Sequence, residues 1–299
     1  MIHSNTRLVI VKRAACVLGF LALTAANLSC APSVQVTEAP SSTTLVWSDE
    51  FNGAAGSAVD ARIWSHDLGD GCKEGICGWG NQEKETYTSA LDNVALDGQG
   101  HLAITARRAT TSATCYYGPC RYSSAKIKTQ GKAQAPPGRV EARIKLPEGQ
   151  GLWPAFWMLG SNFPLTPWPA SGELDIMENH GSAPNETSSA IHGPGYSGKT
   201  PFARGKTLPT GKYSDDFHVF AIEWDTDAVR FFVDSTVHYT IPKSDVGRYG
   251  AWVFDQPFFV ILNLAVGGLF DGDPLSDAIL PATMLVDYVR VYARSPRAK

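Results

Sequence analysis

Residues 139–146 read RVEARIKL, with Val140, Ala142, Ile144 and Leu146 at one parity and Arg139, Glu141, Arg143 and Lys145 at the other. Successive side chains of a β-strand point to opposite faces, so this stretch is a strand with one face in a core and the other in water. The same period runs outward through His101–Ala106, Phe217–Trp224, Val229–Asp234, Val237–Ile241, Phe258–Val266 and Leu285–Tyr292. Asp225–Ala228 separates two of these at hairpin distance, and Asp234-Ser235 precedes another. Beyond the first thirty residues no stretch carries a convincing helical period. The expected fold class is all-β: one antiparallel β-sandwich over residues 45–293, with a free sheet face that, if concave, forms a groove for a long ligand.

The chain has 299 residues, 10% of them aromatic and 8 of them tryptophan, which is ample apolar surface for a large core. Net charge is −3, although Arg7, Lys12 and Arg13 stand in a first thirty residues without acids, so the remainder is more acidic still. That balance argues against a nucleic-acid partner and against attraction to anionic lipid, and leaves neutral molecules as the expected ligands. A monomer is expected.

The apolar run Ala14–Ala26 is too short to span a bilayer and follows a basic segment, so residues 1–30 read as a signal peptide. Cleavage after Ala26 is one reading. The other is a lipoprotein signal ending Leu28-Ser29-Cys30, with Cys30 lipidated, although Asn27 occupies a position where leucine is preferred. Localisation is therefore expected to be secreted or, through Cys30, anchored to the cell envelope. Residues 31–44 (APSVQVTEAPSSTT) read as a tether, and 294–299 as a C-terminal tail. With Cys16 and Cys30 assigned to export, Cys72, Cys77, Cys115 and Cys120 remain as two C-x4-C pairs, which in an exported protein imply disulfides. Pairing within each motif is economical, and crossed pairings stay open; a zinc site ranks below, since no histidine sits beside either pair.

Residues 171–181 read SGELDIMENHG. Glu173 and Asp175 share a strand face, but strict alternation sends Glu178 to the opposite one, among apolar neighbours where an ionised carboxyl is costly. A β-bulge near Ile176 and Met177 restores Glu178 to the acidic face. The two glutamates then lie about four rises apart, roughly 13 Å between Cα atoms. Side chains leaning together approach the roughly 5 Å carboxyl separation of a retaining glycosidase, one carboxylate a nucleophile and the other a proton donor. Asp175, between them, can hydrogen-bond one glutamate, and the crowding keeps a proton on the group to higher pH. The bland readings are a solvated edge-strand face or a calcium site.

Just upstream, residues 151–160 read GLWPAFWMLG and place Trp153 and Trp157 on one face, a floor on which sugar rings can stack; core packing is the alternative. Trp47, Trp64, Trp224 and Trp252 are assigned to the core. His192 ends the next strand, 188–194 (SSAIHGP), and residues 78–87 (GWGNQEKETY) bring Trp79, Asn81 and Glu83 in a glycine-rich loop.

Together with VWSDEFNG (46–53), WGNQE (79–83), GRVEARIKLPEGQGLWPAFWMLG (138–160) and LVDYVRVY (285–292), the acidic hexapeptide resembles glycoside hydrolase family 16, in the bulged form of its laminarinase-like endo-β-1,3-glucanases. The resemblance covers the whole domain. It implies a concanavalin A-like jelly roll with a concave groove, Glu173 as nucleophile, Glu178 as acid/base and Asp175 assisting the nucleophile. It also implies that Trp153, Trp157, His192, Asn81 and Trp79 contact substrate, with no cofactor in catalysis. A structural calcium on the convex side, at Glu50, Gly100 and Asp287, is a further implication. The two C-x4-C pairs are not part of the family pattern. The resulting expectation is a retaining endo-glycosidase of internal β-1,3-glucosidic bonds in a neutral β-glucan. The rivals are the same chemistry on mixed-linkage glucan or a galactan, transglycosylation, and a β-glucan-binding lectin without catalysis.

Overall fold

A computed structural model describes residues 43–110 and 112–294. The expected signal peptide, the possible lipid anchor at Cys30, most of the expected linker and the last five residues lie outside the described residues.

The strand 138–145 has the burial its alternation predicts: Val140, Ala142 and Ile144 are fully buried, while the residues between them are half-exposed. Its outer face is laced by charge pairs, Arg139 to Glu141 and Glu223 and Arg143 to Asp287. This strand lies in the middle of a ten-stranded sheet. The order, from one edge, is Thr236–Pro242, Ala228–Val233, His218–Trp224, Gly138–Lys145, Ala282–Arg294, Leu102–Arg108, Tyr122–Ser124 and Glu85–Tyr87. Two more strands attach at its side, Thr43–Asp49 on Ala282–Arg294 and Val94–Leu96 on Leu102–Arg108. The first strand thus begins at Thr43, ahead of the expected Leu45. All pairings are antiparallel except Glu85–Tyr87 with Tyr122–Ser124, which is parallel.

A second sheet of seven strands packs on the first. Its order is Phe202–Thr207, Glu186–His192, Glu173–Glu178, Leu152–Gly160, Phe258–Val266, Lys126–Lys128 and Ser65–Asp67. One main apolar cluster joins the two sheets and takes in Ile144, Phe156, Leu174, Met177, Leu262 and Val289. Trp64 and Trp224 are buried in it, and Trp47 and Trp252 pack against it. The strand Phe258–Val266 is buried at every position because its outer face, with Phe259 and Ile261, is covered by a second small cluster around Leu159, Trp157 and Phe163. The sandwich expected from the sequence is therefore present, a jelly roll of two antiparallel sheets. The helical content among the described residues is a single turn, Lys243–Val246, and three short 3-10 segments.

Candidate active site

The acidic strand carries the expected bulge. Against Leu152–Gly160, Phe156 pairs with Met177 and the next residue, Trp157, with Asp175, so Ile176 is the extra residue. Ile176 and Met177 both point into the core, at 1% and 0% exposure, and Glu178 is thereby returned to the outward face. Burying two consecutive apolar side chains secures this register, because a one-residue slip would put a carboxyl into the core instead. Glu173 lies opposite Leu159 and Glu178 opposite Ala155, which sets the two acids four rises apart along the neighbouring strand.

Each glutamate accepts a hydrogen bond from an indole. Trp168 Nε1 donates to Glu173 Oε2 at 2.6 Å, and Trp153 Nε1 to Glu178 Oε1 at 3.1 Å. His192, paired with Glu173 across the strands, brings its Nε2 to 3.1 Å from Asp175 Oδ2 and 4.0 Å from Glu173 Oε1. The Asp175 contact lies outside hydrogen-bond geometry. A carboxyl oxygen of Glu173, one of Asp175 and a ring nitrogen of His192 lie within 4.8 Å of one another.

Burial raises all three carboxyls. Glu173 is pushed up to about 8 by desolvation and the Asp175 charge, against the opposing pull of His192 and the Trp168 N–H. Asp175 rises to about 7, again by desolvation. Glu178 is raised well above the ordinary carboxylate range, because burial is joined by the charges of both Asp175 and Glu173. Three close carboxyls share their protons, and Glu178, raised by burial and by the charges of both neighbours, can keep one as a proton donor must.

The other expected residues surround this group. Trp153 stacks on Phe270, with ring centroids 4.3 Å apart, and Phe270 also touches His180. Trp157 donates to Asn263 Oδ1 at 2.7 Å; Asn263 donates to Tyr87 Oη, and Tyr87 to the buried Glu83. Asn81 joins the same chain, giving its amide to Glu83 Oε1 at 3.2 Å. Trp79 lies at the far end, its ring over Lys126, whose Nζ is 4.3 Å from the Trp79 centroid and 4.9 Å from that of Trp157. Trp168, Phe270, Asn263 and Lys126 were not singled out from the sequence. Only Trp168, in a proline-rich loop five residues before Glu173, left a local signal there.

Disulfides join Cys72 to Cys77 and Cys115 to Cys120, each within its own motif. The two stapled loops dock beside Trp79: Tyr116 donates its backbone N–H to Asp70 and its hydroxyl to the Gln82 carbonyl.

Glu50, Gly100 and Asp287 also come together, but on the ten-stranded sheet. Pairing of Ala282–Arg294 with Thr43–Asp49 stops at Asp49–Val289, and with Leu102–Arg108 at Leu102–Val286. Asp287 falls in the gap, and a bulge against Gly138–Lys145 skips it as well. The carboxylate of Glu50 is held by Arg290 at 3.0 and 2.8 Å, and Asp287 Oδ2 by Arg143 at 2.7 Å. For a calcium ion, the donors that fit are thus backbone carbonyls at the gap and Asp287 Oδ1, not the Glu50 side chain.

The family model described as glycosyl hydrolases family 16 matches residues 81–290. A β-glucanase of Rhodothermus marinus is 39% identical over 255 residues, covering 83% of this chain and 84% of its own. The endo-β-1,3-glucanase structure of Pyrococcus furiosus superposes with a TM-score of 0.80 at 46% identity, over 85% of this chain and 96% of the other. The laminarinase catalytic domain of Thermotoga maritima gives 0.79 at 42%, over 85% and 99%. The bulged acidic strand and both strands that flank it lie inside the matched residues, and the chain belongs to glycosyl hydrolase family 16.

Proposed function

We propose that the protein hydrolyses internal β-1,3-glucosidic bonds of laminarin-type glucans with retention of configuration. The carrying observation is that the bulge sets Glu173 and Glu178 on one face, each under its own indole donor, with Asp175 between them. Glu178 gives its proton to the glycosidic oxygen as a Glu173 oxygen attacks the anomeric carbon, and the bond to the leaving sugar breaks. Glu178, now a carboxylate, takes a proton from water; that water attacks the same carbon, and Glu173 leaves. The Trp168 N–H favours the ionised form that Glu173 needs as a nucleophile, and Asp175 holds its other side. Trp153, Trp157 and Trp79 supply stacking surfaces, with His192 and Asn81 as polar contacts.

The test is incubation with laminarin, lichenan, curdlan, agarose and carrageenan, with sizing of the products and proton NMR of the first-formed anomer. Early oligosaccharides from laminarin with the β-anomer first support the reading. Release of the α-anomer removes retention, and no cleavage of any polymer leaves a glucan-binding lectin. The domain over residues 45–293, export, lipidation at Cys30 and a monomeric state are parts of the same proposal. Palmitate labelling of wild type against Cys30→Ala and size-exclusion chromatography test the last two. A calcium held by carbonyls at the Asp287 gap would tie three strand ends together; loss of melting temperature on chelation tests it.

A further inference from the structure

The bulge that presents Glu178 is itself held from behind. On the strand Glu186–His192, Ala190 pairs with Asp175 and Ser188 with Glu178, so Ser189 alone faces both Ile176 and Met177. Two residues against one leave ladder groups without their regular partners. Ser189 is 1% exposed and has the parity of Ile191, a core residue, so its side chain points away from the acids. Its Oγ donates to the carbonyl of Ile176, the extra residue, at 2.7 Å. Having given its one hydrogen there, the hydroxyl can only accept from His238, whose Nε2 is 3.1 Å away. His238 belongs to Thr236–Pro242, the edge strand of the opposite sheet. Its Nδ1 is buried without a partner among the described residues, as fits a neutral ring with its proton on Nε2. Burial, with Lys206 and Arg204 nearby, holds this histidine down to about 4, so the ring stays neutral at ordinary pH. Two hydrogen bonds therefore connect the ten-stranded sheet to the one carbonyl whose position defines the bulge.

We propose that Ser189 and His238 are positioning residues, which hold the Ile176–Met177 bulge in shape and so aim the Glu178 carboxyl at the glycosidic oxygen. The inference rests on the reading of Glu178 as the proton donor. Without the Ser189 hydroxyl, the Ile176 carbonyl and the His238 N–H both lose their partner, and the strand can relax by rotating the Ile176–Met177 peptide, which shifts the backbone leading into Glu178. Glu173 and Asp175 precede the bulge and keep their register.

The experiment separates proton donation from the rest of catalysis. Laminarin has a sugar hydroxyl as leaving group and needs the proton; 2,4-dinitrophenyl β-laminaribioside has a phenolate that departs without it. Ser189→Ala is expected to lower kcat/KM on laminarin about tenfold, a fraction of what a full ångström of misplacement causes, with KM unchanged. On the dinitrophenyl substrate kcat/KM should stay within about twofold, since protonation is not needed there. Ser189→Thr, which keeps the hydroxyl, should recover most of the loss. His238→Phe should show the same pattern at about threefold, and His238→Gln, which keeps a side-chain N–H, less. If Ser189→Ala does not fold by circular dichroism, the two His238 variants carry the test alone. Equal losses on both substrates, or unchanged laminarin activity in the folded variants, would overturn the proposal. Failure of the wild type on laminarin would instead remove the reading on which it rests.

Discussion

Two groups of carboxyls sit on the two sheets and are treated in opposite ways. On the ten-stranded sheet, Glu50 is gripped by Arg290 and Asp287 by Arg143, and the Glu50 carboxyl is lowered, chiefly by the Arg290 hydrogen bond. On the seven-stranded sheet, Glu173, Asp175 and Glu178 have no arginine or lysine partner among the described residues; indole N–H groups and one histidine face them, and all three are raised. Charge neutralisation by a guanidinium stabilises a fold but keeps a carboxyl ionised at working pH, so that it has no proton to donate, and weakens it as a nucleophile. Burial without a counter-ion does the reverse, and such perturbed groups mark functional sites.

The largest expected effect tests the unpaired group directly. Glu173→Ala should lower laminarin hydrolysis by about 10³-fold or more while binding and folding persist, and external azide should restore turnover as an α-glycosyl azide, because it enters from the face that Glu173 vacates. Full retained activity would remove Glu173 from its role.

Next comes stability. The groove carboxyls have folded pKa values above their unfolded ones, so between roughly pH 4.5 and pH 8 the folded state holds more protons, and stability falls as pH rises. Glu178→Gln removes one such group. It should raise the melting temperature by about 3 °C at pH 8 and by less at pH 5. A variant that melts lower than wild type at pH 8 would contradict the burial argument. Glu50 carries the opposite sign: its folded pKa is below the unfolded value, so its contribution is present above about pH 4.5 and is lost as pH falls through the folded value.

Phe270 stacks on the Trp153 ring, and Phe270→Ala should raise KM for laminarin about threefold in steady-state kinetics through a less fixed Trp153. The smallest effect belongs to the ion-paired region. Arg290 and Glu50 are each more than a third exposed at the side chain. Arg290→Ala should therefore destabilise by only about 0.5 kcal/mol in denaturant titrations, less at high salt, and leave activity alone. A loss of several kcal/mol would mean that this pair holds more of the sheet than its exposure suggests.

The elements legible in advance were those whose information is local. Period two over Arg139–Lys145 identified a strand, and the misfit of Glu178 with that period identified the bulge, since an acid in the core is too costly to be an accident of pattern. The short strands Ser65–Asp67, Lys126–Lys128 and Glu85–Tyr87 were not legible, because three residues carry too little alternation to distinguish from a loop. Nor were Phe270, Asn263 and Lys126, which enter the site from a loop and from strands remote in the chain.

By itself the sequence determined the sandwich class and the three acids with their shared face, while the choice between within-motif and crossed disulfides fell to the structure. It could do so because strand parity and short-range spacing are properties of neighbouring residues. Tertiary structure decided what surrounds those acids: which indole reaches which carboxylate, that Asn81 and Trp157 hang on one buried chain to Glu83, and that Ser189 and His238 meet behind the bulge. Of these contacts, Trp153–Glu178, Ser189–His238 and Trp157–Asn263 join residues 25, 49 and 106 positions apart, and only the order of strands in the two sheets brings them within hydrogen-bond reach.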